Sequence, residues 1–416
     1  MKKLLAVILC LLLITAMFAG CRETIADISD DNPDDPTEAA ETKTVKVGLI
    51  CIGDENDQGY TYNFIRGKDA ATEALAAKGI EVEWLVKWNI GEDATCEDAN
   101  IELAEAGCEL IINNSYGFED YMLKVAPNYP EVHFIACTGQ ESWCDDLYNT
   151  HNAFADIYEG RYLAGIVAGM KLNQLIEEGE IAEDEAIIGY VGAFPHTEVV
   201  SGMTAYFLGA RSVCPSATMK VLFTDTWSDA TVEANAAAVL IDTGCVVLSQ
   251  HADNSTPASV AEEKGAYFTS YNNDMIDVAP DAVLVGTRID WGVYFTAIIE
   301  DAVNGTEIPQ DWSLGIANEA VVLTPLNEAI AAPGTAEKLA EVEAGIKDGT
   351  IKVFDVSNFT VDGKPLTQAF ALDTDGDGIP DAEEAIIDGE FKESFYQSAP
   401  YFNIRIDGIE WLNGAD

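Results

Sequence analysis

Short apolar runs alternate with longer stretches of mixed polarity along most of the chain. In the first half, runs over 45–51, 82–86, 110–113 and 132–136 are bounded by turn residues and have the length of buried strands. Helices are predicted between them, ending near residue 78 and spanning 97–106 and 118–126. Strands that alternate with helices predict a parallel, doubly wound sheet.

The same alternation restarts in the second half of the chain. Strands are predicted over 186–191, 219–223, 245–249, 266–271 and 282–285, and helices near 198–211, 229–242 and 256–264. Between the halves, a helix is predicted to open after Asp156 and to run to about residue 176. Its small residues, among them Gly165 and Gly169, would let it pack closely on a sheet. The pattern therefore predicts an α/β protein with two lobes.

The length and the charge agree with this architecture and limit the partners. A chain of 416 residues suits two α/β lobes better than one domain. Its 72 acidic and 22 basic residues give a formal net charge of −50. A field of that sign argues against nucleic acid and anionic membrane surfaces, and it disfavours multiply charged anionic ligands.

The N-terminus has the features of an export signal. Lys2 and Lys3 precede an apolar run over 4–16, and small residues come directly before Cys21. We expect residues 1–20 to be a lipoprotein signal peptide and Cys21 to carry the lipid, although an ordinary signal peptide is the alternative. Residues 21–44 are acidic and poor in large apolar residues, so they are expected to form a tether between the membrane and the globular part.

The cysteines leave the disulfide pattern open. Of nine, Cys10 lies in the signal and Cys21 is the lipid site, so seven remain and at least one stays unpaired in the monomer. The closest pairs in sequence are Cys96 with Cys108 and Cys137 with Cys144, and buried free thiols are an equal alternative.

Polar side chains are concentrated where the predicted strands end. Ligands of open α/β sheets bind outside the carboxyl ends of the strands. The polar residues that follow strands at 110–113, 245–249 and 266–271 are Asn114, Ser115, Tyr116, Gln250, His251, Asp253, Asn272 and Asp274. Two further strand-end loops, 54–62 and 225–229, each contain aromatic and acidic residues. The alternative to a ligand-binding role is that these are ordinary polar loops whose aromatic residues pack inward.

The sequence contains none of the common enzyme motifs that would support catalysis. The chain has no GxGxxG, P-loop, HExxH or GxSxG sequence, and its four histidines are scattered. We therefore expect a binding protein without a catalytic cofactor.

The sequence motif around residue 156 is more specific to one protein family than the hydrophobic periodicity is. The stretch 156–165 has the pattern Asp-x-x-Glu-Gly-x-Tyr-Leu-Ala-Gly, accompanied by Ile-Gly-Tyr-Val-Gly at 188–192 and Ala-Pro-x-Ala-Val-Leu at 279–284. These motifs resemble those of the basic-membrane-protein family of ABC-transporter solute-binding lipoproteins, which includes purine-nucleoside receptors. The resemblance extends over about residues 45–355.

The resemblance implies a type I periplasmic-binding-protein fold, whose two doubly wound parallel-sheet lobes are joined by a hinge. It implies a first lobe formed by residues 45–157, to which a later segment of the chain, about 288–325, returns. The second lobe would cover 158–287 with about 326–355 returning, and 356–416 would be a C-terminal elaboration.

The resemblance also implies roles for individual residues. Asp156 at the first crossover would contact the ligand, together with Asp57, and Tyr60 and Trp227 would stack on a base from either side. Asn272 replaces the Asp of most purine-nucleoside receptors. A lysine that the family carries further along its sequence is missing here from the region of 288–291. The sequence of that region is closer to the branch of the family that includes adenine binders.

One further motif lies in the C-terminal region. Residues 373–384 have acids at positions 1, 3, 5, 9 and 12 and Gly at position 6, which is the spacing of a calcium loop. The predicted Ca²⁺ ligands are Asp373, Asp375, Asp377, the carbonyl of Ile379, Asp381 and Glu384. A structural ion is expected, followed by a helix over 382–387, and an acidic turn is the alternative.

Together these features predict a lipid-anchored, extracytoplasmic receptor that delivers a purine nucleoside or nucleobase to an ABC-transporter permease by hinge closure. One alternative is a receptor for a sugar or an amino acid on the same fold. Two others are a nucleoside-processing enzyme and a surface sensor.

Overall fold

The computed structural model describes residues 42–142, 147–373 and 380–414. Two predictions therefore lie wholly or largely outside the described residues: the signal peptide with Cys21, and the tether up to residue 41. The predicted metal ligands Asp375, Asp377 and Ile379 lie outside them as well, as does Cys144. None of the described helices is long and apolar enough to cross a membrane.

The first lobe is built on a parallel sheet. In spatial order its strands are β11 (Asp311–Trp312), β5 (Thr150–Ala153), β4 (His133–Ala136), β3 (Leu110–Asn113), β1 (Lys43–Ile50) and β2 (Ile80–Lys87). Its helices are α1 (Tyr60–Ala76), α2 (Ala94–Glu105), α3 (Glu119–Val125) and α8 (Trp291–Asn304), with short 3-10 turns at Tyr116–Phe118 and Ala126–Asn128. The central strands are apolar and buried on both faces, as is typical of parallel sheets.

The second lobe is built on a longer sheet. In spatial order its strands are β12 (Val321–Leu323), β10 (Val283–Ile289), β9 (Tyr267–Tyr271), β8 (Val247–His251), β6 (Ile187–Gly192), β7 (Thr218–Phe223) and β19 (Ile409–Trp411). Only the β10–β12 pair of this sheet is antiparallel. The helices of this half are α4 (Ile157–Glu178), α5 (Thr197–Val213), α6 (Ala230–Asp242), α7 (Thr256–Lys264) and α9 (Thr335–Lys347), with 3-10 turns at Glu183–Glu185 and Ile316–Asn318.

The small residues of the central helix α4 were predicted to pack on a sheet, but two of them pack on another helix. A Cβ atom on Gly165 would lie 2.0 Å from the carbonyl oxygen of Tyr206, and one on Gly169 would lie 2.4 Å from that of Ala210. Both neighbours belong to α5, so these glycines allow a close contact between two helices rather than between helix and sheet. Gly160, one turn earlier, is the position that approaches the sheet, at Thr287.

The return of the chain to the first lobe is shorter than predicted. Asp311–Trp312 does join the first sheet, at Asn152 and Ala153. Val321–Leu323, however, pairs with Ile289, Arg288 and Thr287 in the second sheet. Because Val321 is fully buried there, the return ends before residue 321 and not near 325.

The C-terminal region differs most from its prediction. Residues 382–387 were expected to be helical, but they form β16 (Ala382–Glu384) and β17 (Ile386–Ile387). β16 pairs with β15 (Phe370–Leu372), and β17 pairs with β18 (Glu390–Phe391). A further small hairpin joins β13 (Thr360–Val361) to β14 (Lys364–Pro365). The hairpin pairing satisfies backbone groups that a helix would otherwise have paired locally.

The last part of the chain, residues 391–413, contacts both lobes, and we call it the C-terminal strap. Ser398 receives a hydrogen bond from the amide of Asn152 (2.7 Å), and its backbone N–H donates to Asp311 (2.7 Å) in the first lobe. At the other end, Ile409–Trp411 extends the second sheet. The Asn413 amide there pairs with both the N–H and the carbonyl of Phe223.

The described cysteines are all unpaired. Cys51, Cys96, Cys108, Cys137, Cys214 and Cys245 are buried free thiols. The Cys96–Cys108 disulfide is therefore not formed, and the alternative of buried thiols holds for these residues.

Candidate ligand-binding site

A narrow cavity lies between the lobes at the carboxyl ends of their strands. Its volume in this closed arrangement is about 20 Å³, and an adjoining cavity of about 320 Å³ shares Ile52, Trp227 and Asp253 with it. The first lobe lines it with Ile52, Tyr60, Ser115, Tyr116, Cys137 and Thr138, and the second lobe with Glu198, Trp227, His251, Asp253 and Tyr271. Ile52 and Ser115 follow the neighbouring strands β1 and β3, between which the strand order of the first sheet reverses. This is where ligands bind in doubly wound sheets.

A larger groove of about 700 Å³ lies elsewhere, between α1, α8 and the β12–α9 region. Its lining is formed by helix faces and by the edge of the second sheet, including Ala74, Thr296 and Leu323. It lacks the convergent strand-end side chains of the smaller cavity, which we therefore take as the ligand site.

On the first-lobe side, Asp57 positions Tyr60. The Asp57 carboxylate accepts hydrogen bonds from the backbone N–H groups of Gly59, Thr61 and Tyr62 at 2.8–3.1 Å, so it caps the start of α1. Tyr60 begins that helix, and its hydroxyl donates to the carbonyl of Cys137 at 2.9 Å. Burial holds the pKa of Tyr60 well above its usual value, so the hydroxyl keeps its proton.

The loop after β3 contributes both structure and lining. The Asn114 side chain accepts from the N–H of Ile52 (2.8 Å) and donates to the hydroxyl of Thr61, so it braces two strand ends below the cavity. Ser115 donates to Glu92 at 2.7 Å. Tyr116 stacks on His196 of the opposite lobe, with the ring centroids 5.4 Å apart, so this pair closes one side of the site.

On the second-lobe side, Trp227 is half-buried in the loop after β7. Its ring contacts Phe194 and His196, with centroid distances of 5.2 and 6.2 Å. Its carbonyl accepts a hydrogen bond from the N–H of Asp253 at 2.9 Å, which fixes the Trp227 loop to the end of β8. One aromatic residue from each lobe, Tyr60 and Trp227, thus reaches the same cavity.

His251 and Glu198 form a buried pair at the cavity wall. The Nε2 atom of His251 lies 2.9 Å from a carboxylate oxygen of Glu198. Burial lowers the pKa of His251, so the ring is neutral near pH 7 and donates its Nε2 proton to Glu198. Gln250 lies next to this pair but points away, since its amide donates to the carbonyls of Ala252 and Asn254.

A buried arginine supports this wall from below. Arg161 is fully buried and donates to the Tyr190 hydroxyl (2.8 Å), the Ser249 hydroxyl (3.0 Å) and the Gln250 carbonyl (3.1 Å). Its guanidinium also lies 5.0 Å from the ring centroid of Tyr271. Arg161 therefore holds the end of β8 and the ring of Tyr271 in place, and it does not line the cavity itself.

The two lobes are in contact around the cavity. The backbone N–H of Tyr60 donates to the carboxyl group of Asp253, whose pKa burial raises well above its usual value. A Cβ atom on Gly59 would lie 2.3 Å from the carbonyl oxygen of Asp253, so only glycine permits this approach. Asn273 of the second lobe donates to Gln58 of the first at 3.1 Å. The structure therefore has the lobes closed over the site.

Comparison with known proteins agrees with this arrangement. The family model described as "ABC transporter substrate-binding protein PnrA-like" (Bmp) matches residues 44–355. The chain belongs to the Bmp family. Members of this family are solute-binding proteins and not enzymes, and substrate-binding proteins of ABC transporters work outside the cytoplasm. The predicted family is thereby confirmed.

Individual Bmp relatives and a solved structure give the same result. The chain is 35% identical over 311 residues to the purine-binding protein of Brucella abortus (strain 2308). This alignment covers 74% of this chain and 83% of the relative. It is 29% identical over 285 residues to a putative ABC transporter glucose-binding protein of Haloferax volcanii, covering 68% and 66%. An ABC transporter solute-binding protein from Aeropyrum pernix K1 has a TM-score of 0.63 at 17% identity, covering 74% of this chain and 92% of its own. This likeness confirms the predicted periplasmic-binding-protein type of fold.

Six residues predicted for the Bmp ligand site do not line the cavity. Asp156 lies at the crossover as expected, but its carboxylate accepts a hydrogen bond from Ser313. Burial raises the pKa of Asp156 to about 6. Asn272 is buried with a positive φ of 63°, and the carboxylate of Asp274 accepts from the N–H of Ile276. Of the other three, Asp57 lines the adjoining cavity, and Asn114 and Gln250, described above, support the site.

Five lining residues were missed by the sequence reasoning: Ile52, Cys137, Thr138, Glu198 and Tyr271. The strand-end rule contains the signal for four of them, since Tyr271 ends β9 and the others follow β1 and β4 directly. Glu198 belongs to the first turn of α5, and no strand-end pattern indicates it.

The described residues give no metal centre. None of them form a group of three or more His, Cys, Asp or Glu side chains able to hold an ion. Of the predicted calcium ligands inside the described ranges, Glu384 accepts a hydrogen bond from the N–H of Ala369 at 3.2 Å. The calcium loop therefore stays a prediction, since residues 374–379 lie outside the described ranges.

Proposed function

We propose that this substrate-binding protein captures a free purine base between its lobes and passes it to an ABC importer. The observation that carries the proposal is the cavity between Tyr60 and Trp227, combined with 35% identity to a purine-binding relative. Purine bases are flat, and stacking on an aromatic side chain is worth about 1–3 kcal/mol per base.

The position of Asp156 favours the base over the nucleoside. A ribose needs acceptors and donors for its hydroxyl groups, and Asp156 was the residue expected to supply them. Its carboxylate is instead bonded to Ser313 outside the cavity.

A sugar is the second candidate, and one observation favours it. The Haloferax relative is named as a putative glucose-binding protein, and two carboxylates line the cavity as sugar-binding sites require. Glucose would use Glu198 and Asp253 for its hydroxyl groups and would stack on Trp227 with one apolar face.

Isothermal titration calorimetry on the purified protein separates the candidates. Adenine, guanine, adenosine, inosine and D-glucose are titrated under the same conditions after removal of co-purified ligand by partial unfolding and refolding. The proposal requires binding of at least one base, with the matching nucleoside weaker by tenfold or more. Binding of glucose alone would replace the proposal with the second candidate.

Export and anchoring form a separate part of the proposal. The apolar run before Cys21 supports a lipoprotein signal, so Cys21 would carry the lipid that holds the receptor near its permease. A Cys21→Ala variant should lose incorporation of an alkyne-labelled fatty acid and should move from the membrane fraction to the medium or periplasm. Unchanged labelling would exclude Cys21 as the lipid site.

A further inference from the structure

Two acids line the ligand cavity. Among the described lining residues, Glu198 and Asp253 are the acidic side chains, and neither Lys nor Arg accompanies them. Both are largely buried, with the Glu198 side chain 11% and Asp253 7% exposed. Both also come from the second lobe, so one wall of the cavity is acidic.

Each carboxylate is only partly used by the protein. Glu198 accepts from His251 with its Oε1 atom, and no hydrogen bond within the described residues engages Oε2. Asp253 accepts from the backbone N–H of Tyr60. A carboxyl group has room for about four hydrogen bonds, so both retain hydrogen-bonding capacity that closure removes from water. Glu198 is an acceptor, whereas burial raises the pKa of Asp253 well above its usual value, so that Asp253 keeps its proton and can also donate.

A third polar group points to a ligand independently of the two acids. The Tyr271 hydroxyl lies in a side chain that is 1% exposed, and it has no hydrogen-bond partner among the described residues. Tyr271 also lines the cavity. A buried hydroxyl without a partner is costly, so a bound molecule that satisfies it is expected at this wall.

These groups restrict the chemistry of the ligand. A buried carboxylate is stabilised by N–H donors and repels a carbonyl oxygen placed against it. Amino and oxo purines have nearly the same shape, but the exchange replaces an exocyclic N–H₂ with a carbonyl and places a proton on the neighbouring ring nitrogen. The amino form therefore matches the Glu198 carboxylate as acceptor and the Asp253 O–H as donor to the ring nitrogen, and the oxo form matches neither. Stacking on Tyr60 and Trp227 does not distinguish them, because every base has a similar π-face.

We propose that Glu198 and Asp253 select purines that carry an exocyclic amino group, such as adenine and guanine, over their oxo counterparts hypoxanthine and xanthine. This inference rests on the proposed function, since it concerns the same cavity. Glu198 is then a specificity-determining residue, and His251 is a positioning residue that fixes the orientation of its carboxylate.

The first test compares matched bases on the wild-type protein by calorimetry. Adenine should bind about ten- to a hundredfold more tightly than hypoxanthine, and guanine should exceed xanthine by a similar factor, because the wrong partner leaves a buried acceptor unpaired. Equal affinities within each pair would overturn the inference while leaving the proposed function intact. Absence of binding by all four bases would overturn both.

The second test assigns the selectivity to the two acids. Glu198→Gln supplies an amide N–H that can donate to a carbonyl, and Asp253→Leu removes the O–H donor that faces the ring nitrogen, so each should reduce the amino-over-oxo ratio several-fold. Asp274→Asn is the matched control, because its carboxylate follows a strand but lies outside the cavity, bonded to Ile276. A ratio unchanged in both cavity variants would refute the assignment.

Circular dichroism and thermal melting establish that each variant is folded. If one cavity variant does not fold, the other variant and the wild-type comparison of bases still decide the matter. Salt dependence gives a separate readout, since neutral bases bound by hydrogen bonds should show affinities that change little between low and high salt.

Discussion

Replacing Glu393 with glutamine should stabilise the protein above neutral pH and leave it unchanged at acidic pH. Glu393 belongs to the C-terminal strap and is 5% exposed. One of its oxygens accepts from the N–H of Phe402 at 3.1 Å, and Ser201 of the second lobe also donates to the carboxyl group. The other oxygen, Oε1, has no partner among the described residues. Burial, with Asp156 close by, raises the pKa of Glu393 from 4.5 to about 8.

The sign of the effect follows from the direction of this shift. Between pH values of about 4.5 and 8, the folded protein keeps a proton on Glu393 that the unfolded chain releases. The free energy of unfolding therefore falls as pH rises through that window. One pKa unit corresponds to about 1.4 kcal/mol, which sets a ceiling of about 5 kcal/mol, and water penetration and relaxation reduce the expected loss to about 1–3 kcal/mol.

Glutamine removes this loss because it resembles the protonated acid at every pH. Its amide N–H₂ would occupy the site of the unpartnered oxygen Oε1. Asp156 and Glu159, whose pKa values burial raises to about 6 and about 7, titrate in both proteins, so the difference between variant and wild type isolates Glu393.

Urea denaturation at pH 5, 7 and 9 measures the effect. Glu393→Gln should match the wild type at pH 5 and exceed it by about 1–3 kcal/mol at pH 9. Glu410→Gln, an exposed carboxylate on the same strap, serves as the control and should show no pH-dependent difference. A gain that is the same at every pH, or a loss at pH 9, would refute the assignment of the raised pKa to Glu393.

Four further predictions can be checked with single variants. Trp227→Ala should weaken binding of the purine about ten- to a hundredfold by calorimetry, and an unchanged affinity would remove Trp227 from the site. Asp156→Asn should leave that affinity within about twofold because the residue bonds to Ser313 outside the cavity, so a tenfold loss would return it to the ligand site. Calcium should raise the melting temperature of the wild type but not of Asp377→Ala, and equal melting with calcium and with chelator would exclude the loop as a metal site. Trp411→Ala should cost about 2 kcal/mol in urea denaturation, because its half-buried ring packs on the second sheet at Phe223 with centroids 4.9 Å apart. A loss below about 0.5 kcal/mol would show that the strap end adds little stability.

Most strands were predictable because parallel strands buried on both faces have continuous apolar sequences. The run predicted over 110–113 corresponds to Leu110–Asn113, and the one over 219–223 to Thr218–Phe223. The strand Thr150–Ala153 was missed because its sequence, Thr-His-Asn-Ala, is polar. It is nevertheless buried, and its polar groups find distant partners: His151 pairs with His133 at 2.9 Å and Asn152 with Ser398 at 2.7 Å.

The site was predictable where strand ends determine it. Six of the twelve predicted ligand residues line the cavity: Tyr60, Ser115, Tyr116, Trp227, His251 and Asp253. The direction of Asp156 was not predictable, because it depends on Ser313, which lies 157 positions away in the returning chain. The helix expected over 382–387 failed for a similar reason, since its Ala and Glu residues favour helices locally but pair with Phe370–Leu372.

The C-terminal strap lies beyond the residues matched by the Bmp model, yet it completes the fold. The model ends at residue 355, whereas the edge of the second sheet is covered by Ile409–Trp411. Without the strap, Thr218–Phe223 would present an open strand edge, which favours association with other chains. The strap also crosses from Ser398 on the first lobe to Ile409 on the second through eleven peptide units, which extend to at most about 40 Å. If ligand capture proceeds by hinge closure, as the sequence predicts, opening of the lobes must either stay within that reach or release the Ser398 contacts.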